Sequence, residues 1–170
     1  MIPESNNVAY PFTFDAQKAL EVILYVAQRT PAPDVIHICK TLYFADRQHL
    51  EEYGRFICGD EYVAMKNGPV PSGAYDLLRA VNQAEPAVPF IRRGNRIFPN
   101  READLSMLSE SDIECLDQAI SEYGALPFNE LSQRSHDAAW NAADENDSIS
   151  LESIAATLRD GDALLKYLRS

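Results

Sequence analysis

"PDVIHICKTLYFADRQHLEEYG" (residues 33–54) decides the fold class. The stretch predicts a helix from about Asp34 to Tyr53 that ends at Gly54, a residue suited to left-handed termination. At about 100° per residue its two faces separate. His37, Lys40, Thr41, Arg47, Gln48 and Glu51 form a polar stripe, and Val35, Ile38, Cys39, Leu42, Tyr43 and Leu50 form the core-facing side. Two residues break the pattern. Phe44 falls in the middle of the polar stripe, and Asp46 falls on the apolar face with His49 beside it. A buried carboxylate costs several kcal/mol unless it is paired or richly hydrogen-bonded. Asp46 is therefore expected to find a partner: His49, Lys66, a tyrosine hydroxyl, or backbone N–H groups of the proline-glycine loop at 66–75, which it would then pin in shape. Phe44 reads as an exposed aromatic, covered by another helix or offered to a partner.

Working outward, residues 14–29 carry Ala16, Ala19, Leu20, Ile23 and Ala27 on one arc, with Lys18, Glu21, Gln28 and Arg29 opposite, which predicts an amphipathic first helix. Tyr25 sits on its polar side. The run Thr30-Pro31-Ala32-Pro33 breaks it, and residues 1–12 read as a lead-in. After Gly54, a strand-like run (Tyr62 to Met65) meets "GPVPS" and turns into a short helix through Val81, with Ser72 as its N-cap. "VPFIRRGNRIFPN" (88–100) predicts a hairpin turning at Gly94-Asn95. Residues 108–124 predict a helix with Ile113, Leu116, Ile120 and Tyr123 on one stripe and Gly124 at its end. Further helices are expected over 127–135, 151–159 and 162–169. The reading is mainly α: a compact helical domain over 1–170 with a small antiparallel hairpin or sheet.

Composition narrows the function classes. The chain has 170 residues, 46% apolar and 24% charged, with a formal net charge of −11. That is an ordinary globular composition whose charge works against unspecific binding to DNA or anionic membrane. No apolar run approaches the roughly 18 residues of a membrane helix, and the N-terminus lacks a signal-peptide layout. Three widely spaced cysteines (Cys39, Cys58, Cys115) suit a reducing cytoplasm better than a disulfide framework or a zinc knuckle. G-x-S-x-G, P-loop and H-E-x-x-H motifs are absent, so no enzyme, metal or cofactor is expected.

The proline-glycine segment admits two readings. As a connector, its prolines fix φ and its glycines allow tight turns. As a platform, it is rigid before binding and loses little entropy on contact. Met65, Val70 and Tyr75 would then grip apolar surface, flanked by Asn67, Pro69, Pro71 and Ser72, with Lys66 for an acidic group. Arg92, Arg93, Arg96 and Arg101 make the one basic island, fit for a solvated turn, a phosphate backbone or an acidic groove on a protein. "SHDAAW" (135–140) holds the only tryptophan. His136 and Asp137 read as a capping or hydrogen-bond pair and Trp140 as core, so that Asp46, His49, His136 and Trp140 are assigned to a structural polar network.

At "KTLYFADRQHLEEYGRFICGDEYVAMKNGPVPSGAYDLL" (40–78), and again at "LSESDIECLDQAISEYGALPFNELSQRSHDAAW" (108–140), the chain resembles the Panacea domain, the SocA-like antitoxin domain of phage-associated proteins and toxin–antitoxin operons. The resemblance covers most of residues 14–145. Cys58 departs from it, where a small or hydroxyl residue is more usual. The likeness implies a mostly helical antitoxin that neutralises a toxin encoded beside it by direct binding, as a hetero-oligomer or with self-association. Some members are thought to deliver the toxin to a protease. Larger members carry an extra domain, for which 170 residues leave no room. The expected toxin-binding surface is Phe44 with Met65, Lys66, Asn67, Pro69, Val70, Pro71, Ser72 and Tyr75, joined by Arg92, Arg93 and Arg96. The alternatives are a nucleic-acid-binding transcriptional regulator that uses the arginine hairpin and a proteolytic adaptor for the toxin, with a small hydrolase centred on Asp46, His49 and His136 as a third reading.

Overall fold

The computed structural model describes residues 10–31, 33–80 and 88–170. Ala32, Val81 and most of the expected lead-in lie outside them. The fold is mainly α. Eight helices are described, α1 (Ala16–Arg29), α2 (Val35–Tyr53), α3 (Ser72–Arg79), α4 (Glu110–Tyr123), α5 (Phe128–Ser135), α6 (Ala138–Ala142), α7 (Leu151–Ala155) and α8 (Gly161–Arg169). Two antiparallel hairpins, β1–β2 (Tyr62–Met65 and Gly68–Pro71) and β3–β4 (Phe90–Arg93 and Arg96–Pro99), join them.

Local chemistry sets the boundaries. Asp34 caps α2 by accepting from His37 N–H, and Gly54 ends it at φ 77°. Ser109 and Asp112 cap α4 reciprocally. Gly124 closes α4 in a right-handed conformation instead. Ser72 is not the cap of α3. It occupies the first helical position, and the Asp60 carboxylate accepts from Gly73 N–H (2.8 Å) and Ala74 N–H (2.9 Å) from outside the helix.

α2 is the central element, and this overturns the two-faced helix. Every residue from Ile38 to Asp46 is buried, Lys40, Thr41 and Phe44 among them. α4 packs along one side, and β2, α3 and α5 close others. Phe44 is not offered to solvent; its ring stacks on Tyr123 at 3.8 Å between centroids. The first helix likewise buries Glu21 through Ala27 all round. Glu21 keeps its charge through a bidentate pair with Arg101 (2.6 and 2.9 Å), which holds its carboxyl below the usual range. Arg101 thereby leaves the basic island. Tyr25 is buried as well, its hydroxyl donating to Asp117 at 2.5 Å.

"GPVP" is a strand, not a loop. In its antiparallel register Ala64 faces Pro69 and Tyr62 faces Pro71. Ala64 sends its N–H away from β2, to Asp147 O at 2.9 Å. Its opposite number Pro69 therefore also points outward, as does Pro71 two residues on. Neither position is asked for an N–H donor, so proline fits both.

Candidate functional site

The β1–β2 hairpin is fastened at three alternate carbonyls around its turn by side chains from three helices. Trp140 Nε1–H of α6 donates to Met65 O (2.8 Å), Ser132 Oγ–H of α5 to Asn67 O (2.9 Å), and Lys40 Nζ–H of α2 to Pro69 O (2.8 Å). Trp140 is itself held by a stacked His136 ring at 4.0 Å and by Asp137, which caps α6 and accepts the Tyr43 hydroxyl at 2.6 Å. Gly68 sits among them at φ 117°, where a Cβ would lie 2.2 Å from Ser135 Oγ and 3.0 Å from Lys40 Nζ. Only glycine satisfies both the dihedral and the space. The result is a rigid ridge whose tip, Lys66-Asn67, is exposed.

A concavity lies on each side of the ridge. One is a cleft of about 230 Å³ bounded by Met65, Lys66, Asn67 and Val70 of the hairpin, Tyr75 of α3, and Val35, Ile36, Cys39 and Lys40 of α2. Arg92 and Asn95 of the second hairpin complete it. That hairpin is docked by backbone bonds: Val35 N–H donates to Asn95 O and Ile97 N–H to Pro33 O, both at 2.8 Å. Three cations and no carboxylate line this cleft. The other concavity, about 670 Å³ and more open, is lined by Ala64, Lys66, Trp140, Asn141, Ala143 and Glu145.

Six of the nominated residues (Met65, Lys66, Asn67, Val70, Tyr75 and Arg92) therefore share one cleft. The others do not. Pro69 and Pro71 are buried in the strand and Ser72 is half-buried at the start of α3. Phe44 lines a separate shallow depression between α2 and α4. Arg93 and Arg96 face each other across the second hairpin on its outer side.

The proposed polar network divides in two. His136 and Trp140 serve the ridge. Asp46 lies elsewhere, accepting from the Tyr62 hydroxyl (2.5 Å) and Ile57 N–H (2.7 Å), so it fixes the chain leading into β1 and not the proline-rich strand. Burial pushes its carboxyl up to about 7, against the pull of those two donors. His49 makes no bond to Asp46. It contacts Arg55 O (2.8 Å) and Ser111 Oγ (2.9 Å), and burial lowers its pKa. Asp112, 3.4 Å from it, is buried too, a change that alone would raise its carboxyl. Lys18 (2.7 Å) and Arg55 (3.1 Å) hold it below the usual range instead.

Sequence reasoning missed Lys40 at the cleft and the pair Ile91 and Phe98. Those two oppose one another on the outer side of β3–β4, 46% and 44% exposed, beside Arg93 and Arg96. The signal for Lys40 was present: from Ile38 to Asp46 the helix has only two charged residues, too few for a solvent stripe. Among the described residues no group of three or more His, Cys, Asp or Glu side chains is placed to hold a metal ion, and no helix is long and apolar enough to cross a membrane.

Helices clamp the hairpin and leave its tip between two concavities. A profile of the antitoxin SocA-like, Panacea domain matches residues 38–141, more than half of the chain, and the chain belongs to that family. The matched span contains the ridge, its three fastening side chains and all the lining of the smaller cleft except Val35 and Ile36. No curated protein and no solved structure matches the chain.

Proposed function

We propose that the chain is an antitoxin that binds a protein toxin encoded by a neighbouring gene, with Lys66-Asn67 and the two flanking concavities as the contact surface. The observation that carries this reading is the triple fastening of an exposed tip within the span matched to the antitoxin family. A tip already held in place gives up little conformational freedom on binding, so its contacts convert more fully into affinity. The reading needs no cofactor and no chemistry by the chain itself, and it places the protein in the cytoplasm with its toxin.

The outer face of the second hairpin supports a second contact. Ile91 and Phe98 offer apolar area and Arg93 and Arg96 offer charge. Apolar side chains beside the arginines suit an acidic protein surface better than a phosphate backbone, which takes its contacts from cations and hydrogen-bond donors. Co-expression with each neighbouring gene tests the reading. A neighbour that is toxic alone, harmless with this chain and co-purified with it is the expected result. Rescue without a complex, or no toxic neighbour, contradicts it. A duplex that binds with a steep salt dependence abolished by Arg93→Glu would favour the regulator instead.

A further inference from the structure

We propose that the cleft between the two hairpins is a carboxylate pocket, which receives an acidic side chain of the toxin with Lys40 at its floor and Lys66 and Arg92 at its rim. The inference rests on the antitoxin reading and adds the chemistry of the contact.

Lys40 is the starting point. It is 1% exposed, and among the described residues its ammonium group bonds to Pro69 O alone. None of the ion pairs among the described residues includes it. A buried ammonium costs several kcal/mol unless paired, and one carbonyl offsets only part of that. Capping a carbonyl of this hairpin needs no charge, since Ser132 does so for Asn67 in the turn with a hydroxyl. The positive charge is therefore surplus to the fold. Burial pushes the amine down to about 8, which leaves it protonated near neutrality and favourable to an incoming anion.

The surroundings select the ligand. The chain carries 26 acidic and 15 basic residues, yet the cleft contains Lys40, Lys66 and Arg92 and no acid. Its volume of about 230 Å³ is below the roughly 300–1,000 Å³ of small-molecule sites and accommodates a single side chain. Val35, Ile36 and Val70 give apolar walls for a methylene stem. A phosphate would want several backbone donors, but the first turn of α2 has already committed Val35 N–H to Asn95 O and His37 N–H to Asp34. One carboxylate on a short aliphatic stem is the group that fits.

Two measurements test this. The first is affinity of the purified toxin for Lys40→Met, which keeps the length and removes the charge, and for Arg92→Glu at the rim, which covers the case that Lys40→Met does not fold. Each is expected to lose about 30-fold or more, Lys40→Met because it removes one partner of a buried charge pair and Arg92→Glu because it sets a like charge against the incoming carboxylate. Arg159→Glu, the same charge reversal as Arg92→Glu placed on the remote α7–α8 connection, is expected to stay within about 2-fold. Folded variants that bind within about 3-fold of the parent overturn the pocket and leave the antitoxin reading standing. The second measurement follows the ¹⁵Nζ signal of Lys40 in the chain alone during titration with N-acetyl-glutamate amide and, separately, inorganic phosphate. A saturable shift with the glutamate derivative and none with phosphate is expected. An unmoved signal overturns the pocket whatever the toxin does. A response without any neutralised neighbour overturns the toxin as its occupant and assigns the cleft to a small carboxylate.

Discussion

The two hairpins share a length and a topology and differ in everything that faces outward. β1–β2 buries every residue of its second strand and has the carbonyls of Met65, Asn67 and Pro69 taken by Trp140, Ser132 and Lys40. β3–β4 turns one face inward through Phe90 and Ile97 and leaves Ile91, Phe98, Arg93 and Arg96 in solvent. A two-stranded ribbon is marginal alone, so each must borrow stability from its neighbours. The first borrows from side chains of three helices, the second from two backbone bonds beside α2. The difference teaches which hairpin is scaffold and which is display. Only the tip of the first remains available, whereas a whole face of the second does.

Breaking the first hairpin should cost most. Gly68→Ala puts a Cβ against Ser135 Oγ at a dihedral that L-residues rarely adopt, and a loss of about 2–4 kcal/mol by denaturant unfolding is expected. An unchanged midpoint would mean that the fastening is loose. Asp46 offers a smaller, pH-dependent effect at the entrance to β1. Its folded-state pKa is raised above the unfolded value, so its contribution is fully present below about pH 4 and is lost as pH rises through about 7. Asp46→Asn, which keeps an acceptor for Ile57 N–H, should flatten stability over that window in thermal melts. Asp60, raised in the same direction by burial, remains as a residual slope. Smallest is the display face. Ile91→Thr and Phe98→Ser are expected to change stability by no more than about 0.5 kcal/mol. A larger loss would make that face part of the core and erase the contrast.

Much of this architecture was legible in the residues. α1, α2 and α4 follow from periodicity and terminal residues, and the second hairpin from Gly94-Asn95 between Ile91 and Ile97. What was lost has a common cause. A helical wheel assumes one buried side, while α2 is packed on several, so Lys40, Thr41 and Phe44 were assigned to a surface they do not have. Glu21 misled in the same way, because its partner Arg101 is remote in sequence. The strand at "GPVP" was hidden by its prolines, which are tolerated only because positions 69 and 71 face away from the ladder, a property of the register. α6 was too short to show a period. For the site, the hairpin residues were found because unusual composition marks them. The lysine beneath them was not, because the helical wheel placed it on a polar stripe although the stretch around it is too poor in charge to face solvent.

Hydrogen exchange measured by mass spectrometry on the chain with and without its toxin tests the central claim most directly. The account predicts slow exchange across Ala64, Gly68 and Val70 in the free protein, and new protection on binding at Met65–Asn67, Arg92–Arg96 and Asn141–Glu145. Protection confined to α7 and α8, or fast exchange at Gly68 and Val70 before any partner is added, would contradict it.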